Sequence, residues 1–152
     1  MQNLFWLEDS GIGMAVSSTA WGYPITLSLH AIGMATMVGV ALMLILRVLG
    51  FAAAIPVTAM APYWWIALGG FVLNLLSGTA LFFGGASDLF FNWALRIKIV
   101  LVIAGLALTW WLVQICIKRA DDITPTHQKY AGIAMATWIA AIISGRLIGY
   151  MS

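Results

Sequence analysis

A long apolar run between Trp21 and Gly50, interrupted by one histidine, constrains this chain more than any other stretch of its sequence. About 22 residues, nearly all apolar or small, separate Pro24 from Arg47, and at about 1.5 Å of rise per residue a helix of that length crosses the roughly 30 Å hydrocarbon core of a bilayer. His30 lies within this run, nearer its beginning than its end. An ionisable side chain at that depth costs a few kcal/mol unless it has a partner, so His30 marks a candidate functional site.

The composition indicates that the whole chain is an integral membrane protein. Of its 152 residues, 63% are hydrophobic and 8% are charged, whereas charged residues make up about a quarter of an ordinary soluble domain. Mean hydropathy is correspondingly high, at +1.02. The net charge of +2, without a basic stripe or a binding module, gives no reason to expect a nucleic-acid partner. The partner that the composition predicts is the lipid bilayer.

Four apolar runs are long enough to span a membrane, and polar or proline-containing links separate them. The runs cover about residues 24–46, 63–83, 94–117 and 128–150. The link before the second run contains Pro56 and Pro62, and Thr126, next to Pro125, is a candidate N-cap for the fourth. Four helices joined by short links predict an all-α fold, a four-helix transmembrane bundle of up-down-up-down topology that forms a single domain.

Basic residues near the helix ends predict the orientation of the bundle. One end carries four of them and the other carries three, namely Arg47, Lys118, Arg119 and Lys129 against Arg96, Lys98 and Arg146. By the positive-inside rule the richer end faces the cytoplasm. Both termini are then expected on the outer side, and the polar loop after Lys118 is expected inside.

Three spans place an ionisable side chain in one layer toward the outer face. Lys98 precedes Lys118 by about 30 Å of helix, and Arg146 lies about 25 Å of helix beyond the polar loop. Both are therefore at a depth similar to that of His30. Long Lys and Arg side chains can snorkel to the interface, but the short imidazole cannot. We therefore expect His30 to point into the bundle, with Lys98 or Arg146 at the same cavity.

Small and polar residues recur at helical spacing around His30. Its face of the first span carries Gly33, Met34, Met37 and Ala41, and a matching stripe on the second span carries Gly70, Asn74, Ser77 and Gly78. Such stripes are typical of close helix packing, and they also allow a flat ligand to approach. Asn74 and Ser77 are further candidate partners for His30, because an unpaired polar group in hydrocarbon costs several kcal/mol.

Two organic cofactors suit a histidine in this environment. Haem b would use His30 as an iron ligand, with Gly33 leaving room on the same face. Its propionates would pair with a basic residue at the membrane edge, namely Arg96, Lys98 or Arg146. A quinone would instead accept hydrogen bonds at its carbonyl oxygens from His30 and one of these cations.

Copper(I) is a third candidate ligand for the same site. The metal would be held by His30 and by the soft thioethers of Met34 and Met37. His127 cannot ligate the same haem iron as His30, because it lies in the polar loop, most of a membrane thickness away. We expect His127 to stand at a solvated helix start.

The first span resembles that of a bacterial family of four-helix membrane proteins of unknown function. The pattern W-x-YP-x5-LH-x-x-G, then G, then LR-x-LG, is carried by Trp21, Tyr23, Pro24, Leu29, His30, Gly33, Gly39, Leu46, Arg47, Leu49 and Gly50. Later family motifs are resembled at Gly69, at Gly78, and at N-x3-R-x-K, which is Asn92, Arg96 and Lys98. Together with the charge count, the resemblance predicts a multi-pass protein of the bacterial inner membrane with both termini in the periplasm.

More distantly, LH-x-x-G in the first span with a lysine early in the third is similar to the HemJ-type protoporphyrinogen oxidases and to the copper resistance D proteins. The first resemblance implies haem b held partly by His30 and Lys98, and the second implies copper handling. We expect a haem-binding or redox-associated protein, with quinone or copper binding at the same site as alternatives. The other alternative is a non-enzymatic structural subunit that packs in a larger membrane complex, or a homo-oligomer. The sequence contains no nucleophile–base pair or paired carboxylates that would define a hydrolase.

Overall fold

The computed structural model describes residues 4–118 and 122–150, and within these ranges the chain is helical, with no β-strand. The helices are α1 (Phe5–Glu8), α2 (Gly11–Ser17), α3 (Gly22–Val48), α4 (Val57–Met60), α5 (Trp64–Phe83), α6 (Ala86–Leu89), α7 (Trp93–Lys118) and α8 (Pro125–Leu147). Arg119, one of the basic residues on which the predicted orientation depends, lies outside the described residues.

The four long helices confirm the predicted all-α four-helix bundle. Helices α3, α5, α7 and α8 are each long and apolar enough to cross a membrane, so the chain is a multi-pass membrane protein. The predicted spans agree with these helices to within three residues at each end. We call the end of the bundle that carries α1, α2 and α6 the terminal face, and the end that carries α4 the loop face.

The beginning of α8 differs from the prediction. The helix starts at Pro125, so Thr126 lies inside its first turn and is not the N-cap. Thr124 holds that position, because proline has no N–H and a fixed φ that suits the first position of a helix. The N–H of Thr124 donates to Nδ1 of His127 at 3.2 Å. His127 therefore stands at a helix start, as expected, but it is buried rather than solvated.

Helices α3 and α5 form one tightly packed pair. A Cβ atom added to Gly33 would lie 2.6 Å from the backbone nitrogen of Asn74, and one added to Gly70 would lie 2.8 Å from that of Met37. Separations this short leave no room for a side chain, so the two backbones are in direct contact. This is the close packing that small residues permit between membrane helices.

Helices α7 and α8 form the second pair, which is built around a buried tryptophan. The ring of Trp138 is fully buried against Gly105, where an added Cβ would lie 2.9 Å from Cε2. Its indole N–H donates to Oγ1 of Thr109 at 3.1 Å. A buried tryptophan usually finds such a partner, because its N–H would otherwise be unsatisfied in an apolar interior.

The two pairs are joined by an apolar core near the loop face. Leu44, Ile45 and Val48 of α3 are buried there with Leu112 and Val113 of α7. Also near the loop face, the ring centroids of Trp64 and Trp110 lie 5.3 Å apart, so α5 packs against α7 there. We call the interface between the α3–α5 pair and the α7–α8 pair the seam. In its loop-facing half the seam is filled with large side chains.

At the terminal face, hydrogen bonds join α1 to α6 and the start of α7 to the segment after α8. The carboxylate of Glu8 accepts a hydrogen bond from the hydroxyl of Ser87 at 2.6 Å and from its N–H at 2.8 Å. These bonds favour the charged form, so the pKa of Glu8 is lowered. Asn92 Nδ2 donates to the carbonyl of Ile148 at 3.2 Å. The start of α7 is thereby fixed to the segment that follows α8.

Candidate functional site

His30 lies on α3 in the terminal-facing half of the bundle and turns toward α5. Its Nδ1 is 3.0 Å from the carbonyl oxygen of Asn74 and 3.3 Å from Oγ of Ser77. A carbonyl oxygen can only accept, so Nδ1 must carry the ring proton. The hydroxyl of Ser77 donates its own proton to the carbonyl of Leu73 at 2.6 Å, which leaves its lone pairs facing the imidazole. In a neutral His30 these contacts select the Nδ1–H tautomer.

The other ring nitrogen of His30 faces a lysine from the opposite helix pair. Nζ of Lys98, on α7, is 3.2 Å from Nε2. A lysine ammonium has only donors, and Nε2 of this tautomer is an acceptor, so Lys98 donates to His30. The side-chain amide of Asn74 is 3.5 Å from Nε2 and donates at 2.9 Å to the main-chain carbonyl of His30. Both ring nitrogens therefore have fixed partners.

Glycines provide the space in which these two side chains meet. A Cβ added to Gly78 would lie 2.9 Å from Cε1 of His30, so this glycine lets the ring lie against α5. A Cβ added to Gly145 would lie 3.4 Å from Cδ and Cε of Lys98, so α8 presents a smooth surface to the lysine stem. His30 belongs to one helix pair and Lys98 to the other. Their contact crosses the seam.

Lys98 has no acidic partner on any long helix. All five acidic residues of the chain lie outside α3, α5, α7 and α8 in the sequence. Within residues 4–118 and 122–150, no group of three or more His, Cys, Asp or Glu side chains is positioned to hold a metal ion. A lysine head group placed beside a neutral imidazole, without a carboxylate, offers a site to an electron-rich or anionic group.

The two arginines predicted as candidate site residues lie outside this cluster. Arg96 is exposed at the terminal face, where Nη2 donates to the carbonyl of Phe90 at 3.1 Å. Its guanidinium also lies 5.8 Å from the ring centroid of Phe90 and 5.2 Å from that of Trp93. Arg146 is exposed on α8. Lys98 and Arg146 were the two cations expected beside His30. The structure brings Lys98 to His30 and leaves Arg146 at the surface.

The methionines proposed for copper line a small void beside the pair. Met37 is buried and Met34 is half-buried, and both border a cavity of about 10 Å³ together with Lys98 and Trp138. That volume holds about one water molecule. Because both nitrogens of His30 are already engaged, binding of copper(I) by these residues requires Lys98 to leave Nε2.

An apolar groove, which was not predicted from the sequence, opens between the terminal-facing ends of α5 and α7. It has a volume of about 400 Å³ and is lined by Phe82, Phe90, Leu95, Arg96 and Ile99. Its walls come from the end of α5, from Phe90 immediately after α6, and from the first turns of α7. The sequence signal for it is weak, because aromatic and aliphatic residues at these positions equally suit contact with lipid.

These features define a class of protein, a multi-pass membrane bundle with a histidine–lysine pair across the interface between two helix pairs. Comparison of the chain with protein-family models, with curated proteins and with solved structures finds no match. The likeness to the HemJ-type and copper resistance D proteins therefore stays a prediction from the sequence.

Proposed function

We propose that this chain is a bacterial inner-membrane protein that binds haem b, with His30 and Lys98 as the two residues that hold the iron. The observation that carries the proposal is the 3.2 Å approach of Nε2 of His30 to Nζ of Lys98. An imidazole nitrogen and an unprotonated amine are both nitrogen donors, and here they converge from opposite sides of the seam. When bound, haem b supplies one-electron redox chemistry.

The surrounding residues hold His30 in the form that a ligand requires. The carbonyl of Asn74 accepts the Nδ1 proton, which directs the lone pair of Nε2 toward Lys98. In metal-ligating histidines, a hydrogen bond from the ring nitrogen that does not bind the metal to a carbonyl commonly fixes the tautomer and the ring orientation. Lys98 would hold the iron only as the unprotonated amine, the form in which its nitrogen has a free lone pair. The exposed guanidinium groups of Arg96 and Arg146, at the same end of the bundle, suit the anionic propionates.

Room for a porphyrin must come from movement along the seam. The void beside the pair is about 10 Å³, whereas pockets for ligands of this kind measure roughly 300–1,000 Å³. His30 and Lys98 are on different helix pairs, and each pair is internally close-packed through Gly33 and Gly105, respectively. Separation of the pairs in the terminal-facing half therefore disturbs fewer contacts than separation of the helices within a pair.

The first test is a titration of the purified protein in lipid nanodiscs with haem. We expect a Soret band of a six-coordinate species in the wild type, and loss of most of it in His30→Ala and in Lys98→Met. Ser28→Ala, which removes a hydroxyl of α3 that bonds only within its own helix at 2.7 Å, and Lys129→Met are matched controls that should bind normally. Full occupancy in both site variants, or no binding by the wild type, contradicts the proposal.

A structural role is the second candidate, and one observation favours it. Within the described residues no buried side-chain nitrogen or oxygen lacks a hydrogen-bond partner, so the His30 network is complete without a ligand. In this case the protein is a non-enzymatic subunit, and the His30–Lys98 contact only stabilises the packing of its two helix pairs. If haem does not bind, mass spectrometry of extracted lipids distinguishes this role from quinone binding at the same site.

A further inference from the structure

The seam between the helix pairs is closed at one end and open at the other. Near the loop face, α5 meets α7 through the rings of Trp64 and Trp110. Near the terminal face the same two helices border the groove of about 400 Å³, whose lining includes Phe82 of α5 and Ile99 of α7. On the far side of the bundle, α3 packs against both α7 and α8. The α5–α7 side is therefore the side on which the seam opens to lipid.

On both helices that border the groove, a lining residue follows closely after a residue that belongs to the histidine–lysine pair or contacts it. On α5, Gly78 touches the His30 ring and lies one helical turn before Phe82. On α7, Lys98 immediately precedes Ile99. The lining residues Phe82 and Ile99 are thus within about one helical turn, along their own helices, of Gly78 and Lys98.

We propose that the groove is the lateral opening through which a flat, amphiphilic ligand reaches His30 and Lys98 from the bilayer. The inference rests on the proposed function, which makes that ligand haem b. The lining is apolar apart from Arg96, which matches an apolar macrocycle with a carboxylate edge. The contacts of Arg96 with Phe90 and Trp93 hold its charge at the terminal end of the groove. The propionates would then face the headgroups while the ring enters between α5 and α7.

The experiment measures the rate at which haem moves from loaded liposomes into the protein in proteoliposomes. Ile99→Trp fills the groove, and Ile103→Trp, one turn farther along α7 at an exposed position outside the lining, is its control. We expect Ile99→Trp to slow uptake by at least roughly tenfold, which corresponds to about 1.4 kcal/mol in activation free energy. Ile103→Trp should take up haem at the wild-type rate, and both variants should reach wild-type final occupancy.

A second arm tests the part assigned to the cation. Arg96→Gln should slow the uptake of haem and leave unchanged the uptake of its dimethyl ester, which has no free carboxylates. Equal rates for Ile99→Trp and the wild type overturn the lateral opening while the haem site stands. A wild type that takes up no haem overturns the proposed function and this inference with it. A phospholipid that copurifies in an Arg96-dependent manner and is not displaced by haem identifies the groove as a lipid site, and also overturns it.

Discussion

At the scale of single residues, the carbonyl oxygen of Asn74 decides which nitrogen of His30 faces Lys98. The side chain of Asn74 adds a second contact between α3 and α5, since Nδ2 donates to the main-chain carbonyl of His30 at 2.9 Å. We expect Asn74→Ala to lower the free energy of unfolding by about 1 kcal/mol, the usual size of a hydrogen bond between membrane helices. Unfolding in mixed micelles of a denaturing detergent measures this value.

The control for that variant is Thr79→Ala, also on α5. Thr79 is exposed, and its hydroxyl donates at 2.8 Å to the carbonyl of Leu75 within the same helix. Its loss should therefore have little effect on stability. Equal stability of the two variants contradicts the assignment of Asn74 as a link between the helices.

The sequence was sufficient to predict that His30 needs a partner, and Asn74, Ser77 and Lys98 were among the candidates. It was not sufficient to predict that the main-chain oxygen of Asn74 accepts the Nδ1 proton. That bond depends on the register between α3 and α5, which is set by backbone contact at Gly33. A periodic pattern identifies the face of a helix, but it does not give the offset between two helices.

At the scale of helices, two adjacent glycines of α5 provide a test of the α3–α5 pair. A Cβ at Gly70 would lie 2.8 Å from the backbone nitrogen of Met37, whereas one at Gly69 meets nothing within 4 Å. We expect Gly70→Ala to lower the free energy of unfolding by about 1–3 kcal/mol, because the backbones must move apart. Gly69→Ala should be neutral or slightly stabilising, because alanine is the better helix former. Similar effects in the two variants, measured by the same detergent unfolding, contradict the close packing.

The long helices were predictable because a run of about 20 apolar residues has few structural solutions in a membrane. The N-cap of α8 was predicted two residues too late, since Thr124 and Thr126 flank Pro125 and both are plausible caps. Only the preference of proline for the first helical position separates them. With this start His127 is the third residue of the helix, where its Nδ1 accepts from the N–H of Thr124 and its side chain is buried.

At the scale of the whole molecule, the division into two helix pairs and the open half of the seam were not predictable. All four spans are apolar around most of their circumference, so composition does not show which neighbours pack closely. Glycine positions are informative only once the partner surface is known. Gly105 matters because Trp138 lies against it, while Gly39 and Gly132 face open space.

The last prediction is the orientation of the molecule in the membrane, which depends on the basic residues at its two ends. The structure shows that two of these residues are turned into the bundle. Lys98 turns inward to His30, and Arg47 is buried at the loop face, where it donates to the carbonyl of Ile55. One basic residue from each end therefore lies inside the bundle, and the sequence count of four basic residues at the loop face against three at the terminal face keeps its excess of one. The positive-inside rule still predicts a cytoplasmic loop face.

Labelling of single cysteines on intact cells tests this orientation, in a Cys116→Ala background that removes the native thiol. Tyr150 and Asp122 are both exposed, at the terminal face and the loop face respectively. Tyr150→Cys should react with a membrane-impermeant maleimide from outside, and Asp122→Cys should react only after the cells are permeabilised. The reverse pattern means that the terminal face is cytoplasmic. The groove would then open into the inner leaflet, so a ligand for the His30–Lys98 pair would have to come from the cytoplasmic side of the membrane.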